Sequence, residues 1–531
     1  MLIRQTLRYA PAQFLGPLAQ FLSFVVWTHM LQPDTYGEIL FLIATQELGV
    51  LLGVSWWTTY TVRYLPSMRD TAAYQPCENA VLLAAALAQG PVALAALFWI
   101  GRTSDLGLVA ATVAYFASRT TLNHVAERGR AVGDIAAYTA AQTVGPILGL
   151  ALGLALTKVL PPSTAVMSGF AAVQLALLPP LVVRLRLLVR PWVRFDRGHL
   201  RSALAYGGPL LLAGGFSWVS QIGIRFIVEH QDGATALGLL SVGWNLGQRL
   251  IAVLAMLLSA AAFPLAVRSV EERGLRAGLD QLSLNGTLLV GLLAPATLGT
   301  MAVVDSLTGV LVGADFRDVT LVVLPVAACV AALRNLRLHF VDQVYLLIER
   351  TNFVLGLHVF EACATVALCI VGLQMGGLRG ACLGCLSASL VTLAASLAVA
   401  RVRHRLPLAA GALARIAVAN AAMVFAVRAW AFPATPLGLG LQVGTGALAY
   451  AAALLLLFGD RIIPLWAARR AAASARTGRG RPDGEPPGPR REEPRGPASP
   501  DLNGSVVSSA RPAVRALPSR APTRGLGSRH V

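Results

Sequence analysis

Glu47, Arg119, Arg249 and Arg334 are ionisable residues set inside stretches of chain that are otherwise apolar. A charge placed in hydrocarbon costs roughly 2.5–3.5 kcal/mol on insertion scales, so each is a functional candidate. Counted inward from one end of its stretch, Glu47 is 11 residues deep, Arg119 13, and Arg249 and Arg334 15 each. At about 1.5 Å per residue these depths are roughly 17–23 Å, close to one plane. Asn245 lies four before Arg249, Asn123 four after Arg119, and Arg337 three after Arg334. Those spacings put each pair on one helical face. Arginine in excess of acid implies an anionic partner. Guanidinium forks match phosphate oxygens two at a time and keep their charge. A cavity lined by Arg119, Arg249, Arg334, Arg337 and Arg225, with the amides of Asn123 and Asn245, would accommodate a diphosphate. Glu47, Asp342 and Glu361 have two open roles: pairing with arginine, or taking up H⁺ or Na⁺. The competing reading is that all these charges are static ion pairs joining helices. Arg225 and Glu229, four apart, suit a surface ion pair or a gate. His124, His339 and His358 are titratable groups or satisfied polar ones.

These residues need helices that cross a bilayer. Hydrophobic residues make up 56% of the 531 and charged residues 13%, against about 25% charged in a soluble chain; mean hydropathy is +0.64. Apolar runs of about 20 residues recur, each long enough to span about 30 Å of hydrocarbon. Without water to satisfy the backbone, helices are the spans to expect, since the alternation of barrel strands is absent. The runs predict an all-α polytopic membrane protein of about fourteen transmembrane helices: 9–31, 36–59, 79–100, 106–127, 134–157, 163–183, 202–228, 234–262, 277–301, 319–347, 353–373, 378–400, 408–431 and 437–458. The first run is too long, and lacks the cleavage site, for a removable signal.

Landmarks recur between the halves. Tyr9 with Pro11, then Tyr36-Gly37, then Arg63-Tyr64-Leu65-Pro66 are echoed by Tyr206 with Pro209, then Leu237-Gly238, then Phe263-Pro264. Tyr9 to Gly37 is 28 positions and Tyr206 to Gly238 is 32. Internal repeats in a membrane chain point to a transporter with its site at the repeat interface. The expected organisation is two pseudo-symmetric six-helix lobes, 1–183 and 202–400, joined by a basic linker at 184–201. Two additional helices occupy 401–458, and an Arg/Pro-rich tail 459–531. The repeat relates Arg119 to Arg334 and, nearly, Glu47 to Arg249, so these charges should converge between the lobes.

With the N-terminus in the cytoplasm, loops on that side before the tail hold 20 arginines, and the opposite loops hold four basic residues, Arg102, Lys158, Arg317 and Arg379. This is the positive-inside bias, with both termini cytoplasmic. The formal charge of +18 therefore reports orientation and not nucleic acid. The tail, with 14 Arg against 6 acids, is too poor in apolar residues to fold and should be disordered, free in solvent or touching anionic membrane lipids. Lys158 is the single lysine among 44 basic residues. Cys382-Leu383-Gly384-Cys385 has redox spacing but sits in an apolar helix, where cysteine acts as a small hydrophobe. Gly-Pro pairs at 16–17, 90–91, 145–146 and 208–209 should kink their helices.

Leu31-Gln32-Pro33-Asp34-Thr35-Tyr36-Gly37 resembles the Leu-x-Pro-x-x-Tyr-Gly turn of bacterial polysaccharide or O-antigen flippases, within the multidrug/oligosaccharidyl-lipid/polysaccharide exporter superfamily. Arg63-Tyr64-Leu65-Pro66 and Glu127-Arg128-Gly129-Arg130 are similar to two further elements of that family. The resemblance covers the first twelve spans. It implies a two-lobed bundle in the bacterial cytoplasmic membrane, a cationic central cavity, and alternating access that carries a polyprenyl-diphosphate-linked glycan outward. A polysaccharide polymerase or other assembly protein is an expected neighbour. Multidrug extruders of the superfamily bear an acid in their first helix, and residues 9–31 have none.

The rival class is a membrane glycosyltransferase, ligase or polymerase acting on lipid-linked glycans. Such enzymes present catalytic groups on large loops. The longest loop on the Arg-poor side, 302–318, offers only Asp305, Asp315, Arg317 and Asp318. The chain has no Gly-x₄-Gly-Lys-Ser/Thr phosphate loop, so no ATP motor of that type, no cofactor and no catalytic residue is expected. A drug exporter and a non-transporting scaffold are the remaining alternatives.

Overall fold

The computed structural model describes residues 21–460 apart from 22, 69, 70, 72, 73, 188–191, 431 and 434, and all of these fall in one compact unit. The landmarks Tyr9 and Pro11, the pair Gly16-Pro17 and the tail from 461 lie outside the described residues. Among the described residues every regular element is helical. Residues 23–30 are helical and form α1. Then follow α2 (Pro33–Gly53), α3 (Ser55–Tyr64), α4 (Tyr74–Trp99), α5 (Leu106–Ala131), α6 (Ile135–Leu156), α7 (Pro162–Arg184) and α8 (Arg197–Arg273). The second half continues with α9 (Leu275–Ala302), α10 (Val304–Leu311), α11 (Arg317–Leu336), α12 (Asp342–Leu347), α13 (Thr351–His404), α14 (Ala410–Arg428) and α15 (Pro436–Leu457). Among the described residues ten helices are long and apolar enough to cross a membrane, fewer than the fourteen runs. One reason is that two of the ten, α8 and α13, each contain two runs joined without a loop. A second is that α5, carrying Arg119, His124 and Arg128, is too polar to qualify by composition, and a third that most of the run at 9–31 lies outside the described residues.

The two joined helices bend at glycine. In α8 the non-helical residue is Gly233, at φ 80° and ψ −178°; in α13 the bend is at Gly376 and Gly377, the latter at φ 56° and ψ −147°. A Cβ at such angles is strained, so glycine replaces a loop at both places. The run at 36–59 departs from expectation the other way. It starts at Pro33, which suits the first helical turn, and breaks at Val54 (φ −136°). Ser55 Oγ donates to the carbonyls of Val50 and Leu51 at 3.0 and 2.9 Å, inserting a side-chain hydroxyl into the helical ladder at the break. The prolines Pro91, Pro146 and Pro209, of three of the Gly-Pro pairs, lie inside helices.

The halves meet where α2 and α8 cross. A Cβ on Gly37 would overlap the Ala234 carbonyl, and one on Gly238 would overlap the Pro33 carbonyl. The contact is reciprocal, since one 201-residue offset relates both Gly37 to Gly238 and Pro33 to Ala234. Close by, Gly313 lies against the Thr28 carbonyl and Phe316 meets Tyr36 edge-on, centroids 5.6 Å apart. The segment 302–318, expected as a loop, thus forms α10 and a short 3₁₀ turn packed on α1 and α2. At this Arg-poor end Trp99 also donates its indole N–H to Glu229 and packs on His230, with centroids 5.2 Å apart.

Candidate functional site

Directly beyond the glycine crossing the helices part. Glu47 lies 10 residues past Gly37 and Arg249 11 past Gly238, a helical distance of about 15–17 Å on both sides. There a cavity of about 280 Å³ opens, with Glu47, Arg119, Asn123, Arg225, Asn245 and Arg249 in its wall. Tyr115, Arg119 and Asn123 all face it, as a four-residue spacing on α5 demands. Arg225 and Asn245 come from the two arms of α8, and the guanidinium donates to Asn245 Oδ1 at 2.6 Å. Phe24, Trp27, Tyr36 and Phe170 supply apolar walls.

The arginines divide by their partners. Among the described residues neither Arg119 nor Arg249 has an acid within 4 Å. Arg249 and Glu47 are exposed to the cavity space and Arg119 is half-buried. Arg334 and Arg337 stand elsewhere, which corrects the expectation that repeat symmetry brings Arg334 to this cavity. Arg334 Nε is 3.3 Å from Glu361 Oε1, and its Nη2 donates to the Ser220 carbonyl at 2.6 Å. Arg337 Nη2 donates to Glu361 Oε2 at 2.7 Å, and its Nε is 3.6 Å from Asp342. All four side chains are at most 4% exposed. Arg334 is on the regular part of α11, and the physical reason is Glu361 of α13, whose two oxygens neutralise Arg334 and Arg337. A π-helical turn at Arg337–Val341 follows, and it sets the register of Asp342 behind it.

Arg225 and Glu229 form no ion pair with each other; Asn245 and Trp99 take their places. His124 is a satisfied polar group. It is fully buried, with Nε2 2.8 Å from Glu78 and Nδ1 2.8 Å from Thr58 Oγ1, while Arg128 pairs with the other Glu78 oxygen. His358 Nδ1 lies 3.4 Å from Arg337. Sequence reasoning missed Glu78. It also missed Gln46, which donates to Thr120 at 3.5 Å, and Gln174, which accepts from Ser118 at 2.9 Å. The depth count that found the charges would have found these amides, 10 and 11 residues into their runs.

A second, wider space of about 830 Å³ adjoins the cavity at the Arg-rich end, and Val50 and Asn123 line both. Its walls include α3 beyond the Val54 break, α5, α6 and Tyr206 of α8. An amphiphile with a charged group next to a neutral polar one has room along this path.

The described helices form a membrane bundle with arginines that have no acid partner around an internal cavity. The fold is similar to that of a lipid II flippase, MurJ, in an inward closed conformation, with a TM-score of 0.68 at 12% identity over 86% of this chain and 99% of that one. It is also similar to a mutant of the Vibrio cholerae MATE transporter VcmN, with a TM-score of 0.50 at 15% identity over 76% of this chain and 96% of that one. No curated protein sequence matches the chain significantly. Residues 81–333 match a family model described as polysaccharide biosynthesis protein. That segment is just under half of the chain, and the two structural likenesses concern the fold.

Proposed function

We propose that the protein flips or exports polyprenyl-diphosphate-linked oligosaccharide or polysaccharide precursors across a bacterial cytoplasmic membrane by alternating access. The observation that carries this is the pair of unneutralised guanidinium groups, Arg119 and Arg249, beside Arg225 in one cavity between the halves. Two or three unpaired positive charges inside a membrane protein are costly unless an anion offsets them, and a diphosphate supplies matching oxygens. The family match gives the substrate its glycan part. In this reading fourteen crossings form two six-helix lobes plus two helices, both termini are cytoplasmic, and the Arg-rich end faces inward. A polysaccharide polymerase receives the product.

Asn123 and Asn245 complete the diphosphate site, and Glu47 is the acid positioned to carry a coupling ion. Arg334, Arg337, Asp342 and Glu361 are committed to one another in this state. Substrate or ion binding by them would require those pairs to open in another state. The test is complementation of a strain lacking its own lipid-linked glycan flippase, with membrane level checked by immunoblot. Arg119→Ala and Arg249→Ala should each abolish surface glycan while the protein accumulates normally. Arg→Lys at either site should restore part of it, a point charge replacing a fork. Parental export by both alanine variants would overturn the mechanism.

A further inference from the structure

The wider space at the Arg-rich end differs chemically from the cavity it joins. The cavity carries Arg119, Arg225 and Arg249. In the wall of the outer space neutral hydrogen-bonding groups, among them Ser55, Thr59, Asn123 and Gln142, alternate with the apolar Val50, Val54, Val62 and Pro66, with the ring of Tyr206 on one side. Of its charged groups, Arg130 is neutralised by Glu127 at 2.5 Å, and Arg63 lies against the Tyr64 ring, 5.7 Å from its centroid. Asn123 and Gln142 make no hydrogen bond within the described chain, although Gln142 stands in the middle of the apolar helix α6. Each free amide offers two donors and an acceptor, the complement of hydroxyls that both give and receive. Tyr206 is braced edge-on against Tyr64, centroids 5.1 Å apart at 76°, so a fixed aromatic wall faces the space. A volume of about 830 Å³ falls within the roughly 300–1,000 Å³ of small-molecule sites.

We infer that this vestibule is a separate glycan-binding subsite, in which Gln142 and Tyr206 hold the sugars next to the diphosphate while the arginines hold the diphosphate itself. The inference rests on the transport reading above. It assigns the ligand's two chemistries to two walls: hydroxyls meet amides, the apolar face of a pyranose meets Tyr206, and phosphate meets guanidinium. Asn123, lining both spaces, marks the junction. Specificity for the first sugars therefore belongs to α5, α6 and the start of α8, and the arginines are indifferent to it.

The purified full chain in detergent separates these roles with two probes measured by native mass spectrometry: polyprenyl diphosphate, and polyprenyl diphosphate bearing a trisaccharide. The parent should bind the glycosylated probe more tightly. Gln142→Ala and Tyr206→Ala should each weaken the glycosylated probe by about 2–12-fold, the loss of one net hydrogen bond or its equivalent, and leave the bare diphosphate unchanged. Tyr206→Phe, which keeps the ring and cannot disturb packing, should bind both probes like the parent. Arg119→Ala should weaken both probes alike. Equal loss of both probes in the vestibule variants, no loss of either, or equal parental affinity for the two probes would overturn the subsite while leaving the diphosphate reading intact. Failure of the parent to bind either probe would overturn both.

Discussion

Two kinds of arginine occupy the interior of the bundle, and substitution should tell them apart. Arg334 is 4% exposed and shares Glu361 with Arg337. Arg334→Ala leaves that carboxylate under-compensated, a defect that costs about 3–5 kcal/mol when a buried pair is broken. Its expected signature is a lower thermal midpoint and poor accumulation, and an apolar replacement of both partners, Arg334→Met with Glu361→Leu, should recover part of the loss. Arg119 and Arg249 have no acid to strand, so their alanine variants should keep the parental midpoint in a detergent melting assay. A drop of several degrees for Arg249→Ala would show it to be structural. Of the six residues in the cavity wall, the sequence singled out Glu47, Arg119 and Arg249 by their depth along a regular helix and Asn123 and Asn245 by four-residue spacing; Arg225, near the end of its run, gave no depth signal. It misplaced Arg334 and Arg337 because depth along a helix does not reveal which acid of another helix, here Glu361, will neutralise a charge.

Among the elements, the glycines are graded by what surrounds them. At Gly37 and Gly238 a methyl group meets backbone carbonyls that cannot yield, so Gly37→Ala and Gly238→Ala should separate α2 from α8 and reduce the monodisperse yield sharply. Gly90 and Gly208 have nothing within 4 Å of an added Cβ; alanine at either should be neutral or stabilise by up to about 1 kcal/mol. Comparable melting midpoints for all four variants would refute the crossing. The linker offers a pH test. Asp196 caps α8, accepting from the His199 backbone N–H at 2.8 Å and lying 3.0 Å from its ring nitrogen, and those bonds hold its carboxyl below the usual aspartate range. A depressed folded value means that the cap is intact above the unfolded aspartate pKa and is lost as pH falls through the lower folded one. Amide exchange at 197–200 should therefore speed up, relative to the rest of α8, in strong acid and not near neutrality, and Asp196→Asn should weaken that dependence. Helix positions were legible from hydropathy within a few residues. The joins at Gly233 and Gly377 were not, because one glycine at positive φ replaces the polar loop that normally announces a turn.

For the whole molecule, the sequence-level expectation for the tail is testable directly. Residues 470–531 hold no apolar run able to pack, so their deletion should leave export unchanged; loss of export at normal membrane abundance would contradict it. The reciprocal crossing of α2 and α8 was legible through Tyr36-Gly37 and Leu237-Gly238, since glycine is what a close backbone approach demands. The closure by α10 was not, because eight residues of mixed polarity read as a loop. The crossing also sets a gearing ratio. Gly37 is 27 residues from Tyr64 at the end of α3, a reach of about 40 Å, while the arginine ring is only about 15 Å away. If the halves swing about this point, a tilt of about 10° carries the far rim through about 7 Å and the guanidinium groups through less than about 3 Å. A fulcrum so near one end lets the mouth travel the width of a sugar ring while the grip on a phosphate scarcely slackens.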